Sequence, residues 1–294
     1  MAVVTVEEVS GRAAFKRFLE LPYMLHREEF RWSPPLIAYD RWRLDPHRNP
    51  FFDEGDAVYL LARRHGKPSG RLTAQVAHDG DESGWFGFYD IVDDEESAAA
   101  LLAEAGRWLE GKGCTSITGP ASLTLDDEAG VLVDGFDVAG TTGRPWQPPW
   151  YATHLVAAGL SAVDGEDRRT WRLSAIAGDP IEPADDLERP ALAGPHADPR
   201  LLVRSVSGSI VAVPDLGIAR NSPLQLAKRA RRRDWEGCTV VSCNGDPSAL
   251  VPLVQRAAGA AGYRWVIAPW SPDPKAKPET VHRIFSAVLD PVAS

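Results

Sequence analysis

The stretch from Trp85 to Trp171 constrains the fold more than any other part of the chain, because its elements follow one another in a fixed order. An aromatic segment at 85–92 is typical of a buried strand, and apolar residues at helical spacing follow it over 95–112. A glycine ends this helix, and a β-branched strand is predicted at 114–119. A loop then leads to a short helix at 150–159 and to a final strand. The order predicted is strand, helix, strand, loop, helix and strand.

The segments before this stretch predict an irregular start and then a hairpin. Residues 12–30 carry apolar side chains at near-helical spacing, interrupted by Pro22, and residues 31–55 are rich in proline. Ala57–Arg64 and Ser69–His78 read as two strands joined by a turn. An antiparallel hairpin is therefore expected ahead of the aromatic strand.

These elements resemble one bacterial branch of the acyl-CoA N-acyltransferase (GNAT) superfamily, a branch that includes bacterial ceramide synthases and many uncharacterised proteins. The resemblance spans residues 15–172. The segments that carry it are Trp32-Ser33-Pro34-Pro35-Leu36, Asn49-Pro50-Phe51-Phe52, Gly70-Arg71-Leu72, Gly119-Pro120, and Glu128, Gly130, Leu132, Val133, Gly135, Phe136 and Asp137. It implies an α+β fold with mixed, mostly antiparallel sheets flanked by helices, and an N-acyltransferase activity.

The C-terminal third is predicted to repeat part of the same order. Strands are expected at 201–206, 209–213, 238–243 and 265–268, and helices at 222–236 and 248–261. In this alignment of the two halves, Gly237-Cys238 is equivalent to Gly113-Cys114, and Ala261-Gly262-Tyr263 is equivalent to Ala158-Gly159-Leu160. Two tandem GNAT-like lobes follow from it.

The lobes are separated by a segment with linker composition. Residues 174–200 are rich in Pro, Asp and Ala and have no hydrophobic periodicity. We therefore predict a first GNAT-like lobe over 1–173, a linker over 174–200 and a second lobe over 201–294. The second lobe is expected to be abbreviated, because the chain ahead of it is too short for a full set of early elements.

Composition excludes several classes of function. A net charge of −9 argues against a nucleic-acid partner. Three cysteines give no even disulfide framework and no metal-ligand spacing, so no metal is expected, and reduced thiols fit a cytoplasmic protein. No apolar run approaches the roughly 20 residues that span a bilayer. A lipid substrate would therefore require contact at a membrane surface or delivery by a carrier.

The cofactor site is the weakest match to the resemblance. Members of the superfamily hold the CoA pyrophosphate in a Q/R-x-x-G-x-G/A loop at a helix N-terminus, and neither lobe has it. In the first lobe Asp93–Glu96 stand there, and four carboxylates repel a pyrophosphate. In the second lobe a basic run follows a predicted helix start, so acyl-CoA is expected near Arg220, Asn221 and Ser222, with Lys228 or Arg229 reaching a phosphate. The alternative is that this basic run is only a solvated helix face.

N-acylation also requires a base for the attacking amine and an acid for the departing thiolate. Glu128, Tyr89 and Tyr151 are the candidate catalytic residues, because the resemblance implies a Glu, a Tyr or a base that acts through water. Turn chemistry is an equally good reading of Glu128. The branch also has asparagines that this sequence lacks, with Leu125 and Asp126 in their place. Tryptophans that flank proline or glycine either pack under loops or form an aromatic wall for a substrate.

Two functions follow from these residues. The first is an N-acyltransferase that transfers an acyl group from an acyl thioester, with acyl-CoA as co-substrate, to the amine of a small molecule or lipid precursor. The second is a catalytically degenerate GNAT-fold protein that binds a ligand or another protein, which the missing phosphate loop in both lobes favours.

Overall fold

The computed structural model describes residues 3–35, 37–79, 81–124, 128–184, 198–215 and 236–289. In chain order the elements are β1 (Val4–Glu8), α1 (Gly11–Leu25), α2 (Ile37–Arg43), α3 (Phe51–Glu54), β2 (Gly55–Arg64), β3 (Lys67–Ala77), β4 (Ser83–Ile91), α4 (Glu95–Glu110), β5 (Ser116–Gly119), β6 (Val131–Asp134), α5 (Trp150–Ala157), β7 (Ser161–Ala162), β8 (Arg168–Ser174), β9 (Leu202–Ser205), β10 (Gly208–Pro214), β11 (Gly237–Gly245), α6 (Pro247–Ala260), β12 (Trp265–Ala268), β13 (Thr280–Arg283) and β14 (Phe285–Val288). They form two mostly antiparallel sheets with helices packed on them, which confirms the predicted α+β class.

The first sheet has the strand order β1-β2-β3-β4-β5-β14-β7. The predicted hairpin is confirmed, with β2 and β3 paired antiparallel along their length. Helix α4 lies on this sheet through the apolar face that the sequence predicts, since Leu101, Ala105 and Leu109 are buried in one core with Leu72 and Phe86. Burying each large apolar side chain contributes roughly 1.5–3 kcal/mol, so this face fixes the helix on the sheet.

The second sheet has the strand order β6-β13-β8-β12-β11-β10-β9. Helix α6 packs on it through Leu250, Val251 and Val254, which share a core with residues of β9, β10 and β12. Asp246 caps this helix by accepting a hydrogen bond from the backbone N–H of Ser248. Within the described residues, no helix of either lobe has the length and apolar character needed to cross a bilayer.

The two lobes exchange strands. β14, near the end of the chain, lies between β5 and β7 in the first sheet. In return, β8 pairs with β12 in the second sheet, and β13 joins β8 to β6. Strands from both sides of the expected linker therefore enter both sheets, while the domain boundaries given above stay a prediction. Of the expected linker, residues 175–184 are described and residues 185–197 are not.

The internal repeat is real but its alignment differs from the predicted one. β3, β4, α4 and β5 correspond to β10, β11, α6 and β12, because each set has an antiparallel pair, a helix and a strand parallel to the one before the helix. Setting Gly237-Cys238 against Gly113-Cys114 is therefore wrong, since Gly237 starts the strand before the helix. The counterpart of Gly113, which ends α4 with φ 88°, is Gly262 after α6 with φ 90°.

Candidate active site

A bulge in β4 opens a gap in the first sheet. β4 pairs with β5 only over Ser83–Trp85 and then continues alone on that side. On its other side the pairing with β3 shifts, so that Phe88 and Tyr89 together face Leu72. Phe88 has φ 46°, a left-handed conformation that side chains seldom adopt and that marks the extra residue of the bulge.

The edge that β4 exposes at this gap is bonded to the chain that follows β5. The Ala121 N–H donates to the Phe86 carbonyl at 2.7 Å, and the Phe88 N–H donates to Ser122 Oγ at 3.1 Å. Gln75 Nε2 donates to the Ala121 carbonyl at 2.9 Å. The chain therefore takes two hydrogen-bonding groups of β4, the Phe86 carbonyl and the Phe88 N–H, that would otherwise be available to a ligand.

Two glycines and one tyrosine complete this closure. A Cβ on Gly87 would lie 2.1 Å from the Ala121 carbonyl oxygen, so only glycine allows the contact. A Cβ on Gly119, whose φ is 155°, would lie 2.5 Å from the Phe86 carbonyl oxygen. At the end of the strand, the Ile91 N–H donates to the Tyr151 hydroxyl at 3.0 Å. We call this bonded edge, Phe86–Ile91 with Gly119–Ser122 and Tyr151, the sealed edge.

A cavity lies beside the sealed edge, between the first lobe and the end of β10. Its walls combine aromatic rings, prolines and charged groups, namely Trp32, Pro34, Pro35, Tyr39, Asp40, Arg43, Arg71, Phe88, Tyr89, Asp90, Ser122, Glu128, Thr141, Thr142, Trp146 and Val213–Asp215. Tyr89 and Glu128, two of the predicted catalytic residues, thus share one cavity. Tyr151 does not line it, but its ring packs edge-on against Tyr89 at 5.1 Å. Trp32 and Trp146 belong to the aromatic wall, as one reading of the sequence suggested.

The deepest charged group of the cavity is Arg43, whose side chain is 1% exposed. Its Nη1 lies 3.5 Å from Asp40 Oδ1 and 3.3 Å from Glu128 Oε2. Its Nη2 donates to the Ser122 carbonyl at 3.4 Å, and its guanidinium lies 4.6 Å from the centre of the Phe88 ring. The three N···O distances are longer than the 2.7–2.9 Å typical of a tight charge-assisted hydrogen bond, so the contacts of Arg43 with both carboxylates are weak ones.

A second buried network connects the cavity to Tyr151. Arg71 Nε donates to Asp90 Oδ2 at 2.8 Å, and Asp90 Oδ1 lies 3.3 Å from His26 Nε2. The same His26 nitrogen is 3.2 Å from the Tyr151 hydroxyl. Burial raises the pKa of Asp90, but the charges of Arg71 and His26 and their hydrogen bonds lower it more, so its pKa is below the usual value. Asp90 is therefore an anion that orients His26.

The pKa values separate bases from acids in this site. Burial raises the pKa of Asp40 to about 6; Arg43 opposes this and Glu128 adds to it. Burial also raises the pKa values of Tyr89 and Tyr151 well above that of a free tyrosine. The two tyrosines are thus neutral near pH 7. The Tyr89 hydroxyl is buried and has no hydrogen-bond partner among the described residues.

The sequence predicted some of these residues and missed others. Asp40, Arg43, Asp90 and His26 were not singled out, because the contacts that bring them together join distant positions, 85 apart for Arg43 and Glu128 and 64 apart for His26 and Asp90. Arg71 could have been found, since it belongs to the matched Gly70-Arg71-Leu72 segment. The predicted cofactor residues fall outside the described part of the chain: Arg220, Asn221, Ser222, Lys228 and Arg229.

The acidic start of α4 is engaged within the protein. Arg64 contacts Asp94 at 3.1 Å and also pairs with Glu96. His154 Nε2, for which the sequence offered no partner, lies 3.1 Å from Asp93 Oδ1. In the described part of the chain, no cluster of three or more His, Cys, Asp or Glu side chains is arranged to hold a metal ion.

Comparisons with known proteins identify relatives of part of the chain. No protein-family model matches it. Over 161 residues, or 53% of its length, it is 34% identical to Protein YghO of Escherichia coli (strain K12), and the match covers 40% of that protein. Over 142 residues, or 46% of its length, it is 35% identical to the bacterial ceramide synthase of Caulobacter vibrioides (strain NA1000 / CB15N), and covers 37% of it. The chain therefore spans about two fifths of the length of each relative.

A solved structure of the same fold matches nearly the whole chain. A tandem GNAT protein from the clavulanic acid biosynthesis pathway, solved without AcCoA, superposes with a TM-score of 0.52 over 98% of this chain and 99% of its own. The two sequences are 13% identical, so the likeness is one of fold. It covers both sheets and both lobes.

Proposed function

We propose that this chain, a protein with the tandem GNAT fold, is an N-acyltransferase that moves an acyl group from a thioester, acyl-CoA, to an amine bound in the cavity between its lobes. The observation that carries the proposal is the cavity itself. It brings Asp40 and Glu128 to one space beside Tyr89, under walls of tryptophan and proline. Carboxylates attract a protonated amine, and aromatic rings favour both a cation and an apolar body.

The protonation state of each residue indicates its role in the reaction. An anionic carboxylate, for which Glu128 is the residue that the sequence suggests, takes a proton from the ammonium group. The freed nitrogen attacks the thioester carbonyl, the C–N bond forms, and the C–S bond breaks with its electron pair on sulfur. Tyr89, neutral and without a hydrogen-bond partner in the described residues, gives its proton to the departing thiolate and regains one from the new amide nitrogen. Tyr151 supports it through ring packing and the His26 network.

Acyl-CoA is proposed to reach this cavity from the second lobe. The sealed edge of β4 leaves little for a thioester arm to bond in the first lobe. Asp215, which lines the cavity, directly precedes the segment that contains Arg220, Asn221 and Ser222. A CoA phosphate near those residues, with Lys228 or Arg229 on it, would direct the acyl group toward Tyr89 and Glu128. The acceptor is proposed to be a small-molecule or lipid-like amine, and the protein to act in the cytoplasm.

A second function is favoured by one specific observation. The sealed edge and the missing phosphate loop together suit a GNAT-fold protein that has lost catalysis and binds a ligand in the same cavity. Such a protein would bind an amine and transfer nothing. The two functions therefore differ in the release of free thiol.

The test is thiol release from acetyl-CoA and from a long-chain acyl-CoA, each offered with a panel of primary amines. We expect amine-dependent release by the wild type and a loss of about 10²-fold or more in Glu128→Gln. Glu8→Gln, an exposed glutamate on β1, is the matched control and should match the wild type. Calorimetric titration with CoA and both thioesters then separates the alternatives, since binding without any thiol release supports the degenerate protein.

A further inference from the structure

We propose that Asp40 is a catalytic residue of this site, the carboxylate that accepts the proton lost by the amine before it attacks the thioester. This inference rests on the proposed acyl transfer and moves the role of base, which the sequence suggests for Glu128, to Asp40, a residue that no motif in the sequence indicates. Asp40 lies on α2, one turn before Arg43, and it lines the cavity with a side chain that is 3% exposed.

The geometry of the carboxylates favours Asp40 for this role. Arg71 is committed to Asp90 by a hydrogen bond of 2.8 Å, so that pair is closely neutralised. Arg43 instead faces two carboxylates at once, Asp40 at 3.5 Å and Glu128 at 3.3 Å. Arg43 is one guanidinium shared by two carboxylates, of which Asp40 is buried, and a buried charge without full compensation is costly. A proton on Asp40 removes that excess.

The charged and titratable groups that act on Asp40 come from every element around it. They are Arg43 on the same helix, Tyr23 on α1, Arg71 on β3, Asp90 on β4 and Glu128 in the loop after β5. Burial and the carboxylates of Glu128 and Asp90 favour the protonated form, whereas the two guanidiniums favour the anion. The effects that favour the protonated form prevail and raise the pKa of Asp40 to about 6, so Asp40 can take up a proton and release it again near neutral pH.

The remaining carboxylate is better suited to exchange with solvent. The side chain of Glu128 is 25% exposed, against 3% for Asp40. The interior position of Asp40 keeps water from competing with the amine for its oxygens. Glu128 then lies on the solvent side, where it can attract the incoming ammonium group and pass protons out after turnover.

The reaction balances with these groups alone. The ammonium group gives one proton to a carboxylate oxygen of Asp40, and its lone pair attacks the carbonyl carbon of the thioester. The C–N bond forms, the C–S bond breaks, and sulfur leaves with the electron pair. The nitrogen loses its second proton to the Tyr89 oxygen as Tyr89 gives its own proton to the departing thiolate, so Tyr89 ends the step neutral. The proton on Asp40 leaves for solvent before the next turnover.

The pH profile of kcat/KM tests this role. The wild type should show an acidic limb near pH 6, where Asp40 must be ionised in the free enzyme. Asp40→Asn should lose about 10²–10⁴-fold in activity at neutral pH, and its residual activity should lack that limb. Asp53→Asn, an exposed aspartate on α3, is the control and should keep both the rate and the limb.

Asn has nearly the shape of Asp, so the variant is expected to fold. Circular dichroism and the unfolding transition of the variant check this. An active wild type whose acidic limb is unchanged by Asp40→Asn would overturn this inference and leave the proposed transfer standing. A wild type that transfers no acyl group to any amine would overturn the proposed function itself, and the role of Asp40 with it.

Discussion

The two lobes contain the same local arrangement, a bulged strand followed by a helix and a parallel strand, but they treat the gap between those strands differently. In the first lobe, β4 parts from β5 after Trp85, and the chain at 119–122 bonds the edge that is freed. In the second lobe, β11 parts from β12 after Thr239 and, among the described strands, continues with β10 alone. A repeated fold therefore does not imply a repeated binding surface.

The starts of the two helices extend this comparison. Helix α4 begins with Glu95 and Glu96, and Arg64 is already paired with its acidic end. Helix α6 begins with Pro247, and its cap Asp246 bonds Ser248 at 2.9 Å. Both helix starts thus use carboxylates of the chain itself to meet the positive end of the dipole. That Asp93–Glu96 holds no CoA pyrophosphate stays a prediction, and CoA phosphates bonded there would contradict it.

The largest expected effect comes from the exchanged strand that lies behind the first gap. Phe285 on β14 is buried between β5 and β7, so Phe285→Ala should lower the free energy of unfolding by about 3–5 kcal/mol. Val288 on the same strand is 83% exposed, and Val288→Ala is the control, with an effect within about 0.5 kcal/mol. Denaturant unfolding measures both. Equal, small effects would contradict the insertion of β14 into the first sheet.

The next effect concerns the charge of Asp40, which is buried beside the sealed edge. Asp40 has its pKa raised from 3.8 to about 6 in the folded protein. The folded state therefore binds the proton more tightly than the unfolded state, and stability falls as pH rises from about 4 to 6. Above pH 6 the whole loss of stability caused by the ionised Asp40 is present, and it amounts to about 3 kcal/mol at most.

Asp40→Asn removes this dependence, because Asn does not ionise. We expect the stability of Asp40→Asn relative to the wild type to improve by up to about 3 kcal/mol between pH 4 and pH 7. Asp53→Asn should show no such change. The measurement is urea unfolding at each pH. A constant difference between variant and wild type would mean that Asp40 stays ionised throughout.

The sequence predicted what is local in this comparison. The hairpin β2–β3 and helix α4 follow from alternation, turn residues and an apolar helical face, and they occur where expected. The tandem GNAT fold followed from a resemblance over the first half and an element order over the second. Local patterns sufficed because neighbouring residues determine these elements.

The sequence could not predict what depends on distant pairing. β13 and β14 are four residues each, and β14 finds its partner β5 far back in the chain. The amino-acid composition of these two strands did not distinguish them from an irregular segment. The alignment of the repeat was wrong for the same reason, since whether Gly237 starts a strand parallel or antiparallel to its neighbour is decided by pairing. The meeting of Asp40 and Glu128 in one cavity could not be predicted for the same reason, because the two residues are distant in the chain.

A smaller effect is expected from the sealed edge itself. Gly87→Ala places a Cβ 2.1 Å from the Ala121 carbonyl oxygen, so one backbone segment must move. Such overpacking costs about 1–3 kcal/mol. Gly178→Ala is the matched control, because a Cβ at Gly178 meets nothing within 4 Å. Thermal unfolding of the two variants compares them. If both are equally stable, the chain at 119–122 does not hold β4 as closely as described.

The smallest effect isolates one hydrogen bond of the same edge. Ser122→Ala removes the oxygen that accepts from the Phe88 N–H at 3.1 Å, in a buried part of the bulge. A buried N–H left without a partner costs about 1–3 kcal/mol, and we expect the lower half of that range because the Ala121 bond to Phe86 remains. Ser161→Ala, an exposed serine on β7, should change stability by less than about 0.5 kcal/mol. Amide hydrogen exchange gives the sharper reading, since the Phe88 amide should lose protection in Ser122→Ala and keep it in Ser161→Ala. Unchanged protection at Phe88 would show that the first lobe does not use Ser122 to close its gap. The contrast with β11, which beyond Thr239 pairs with β10 alone among the described strands, would then rest on Ala121.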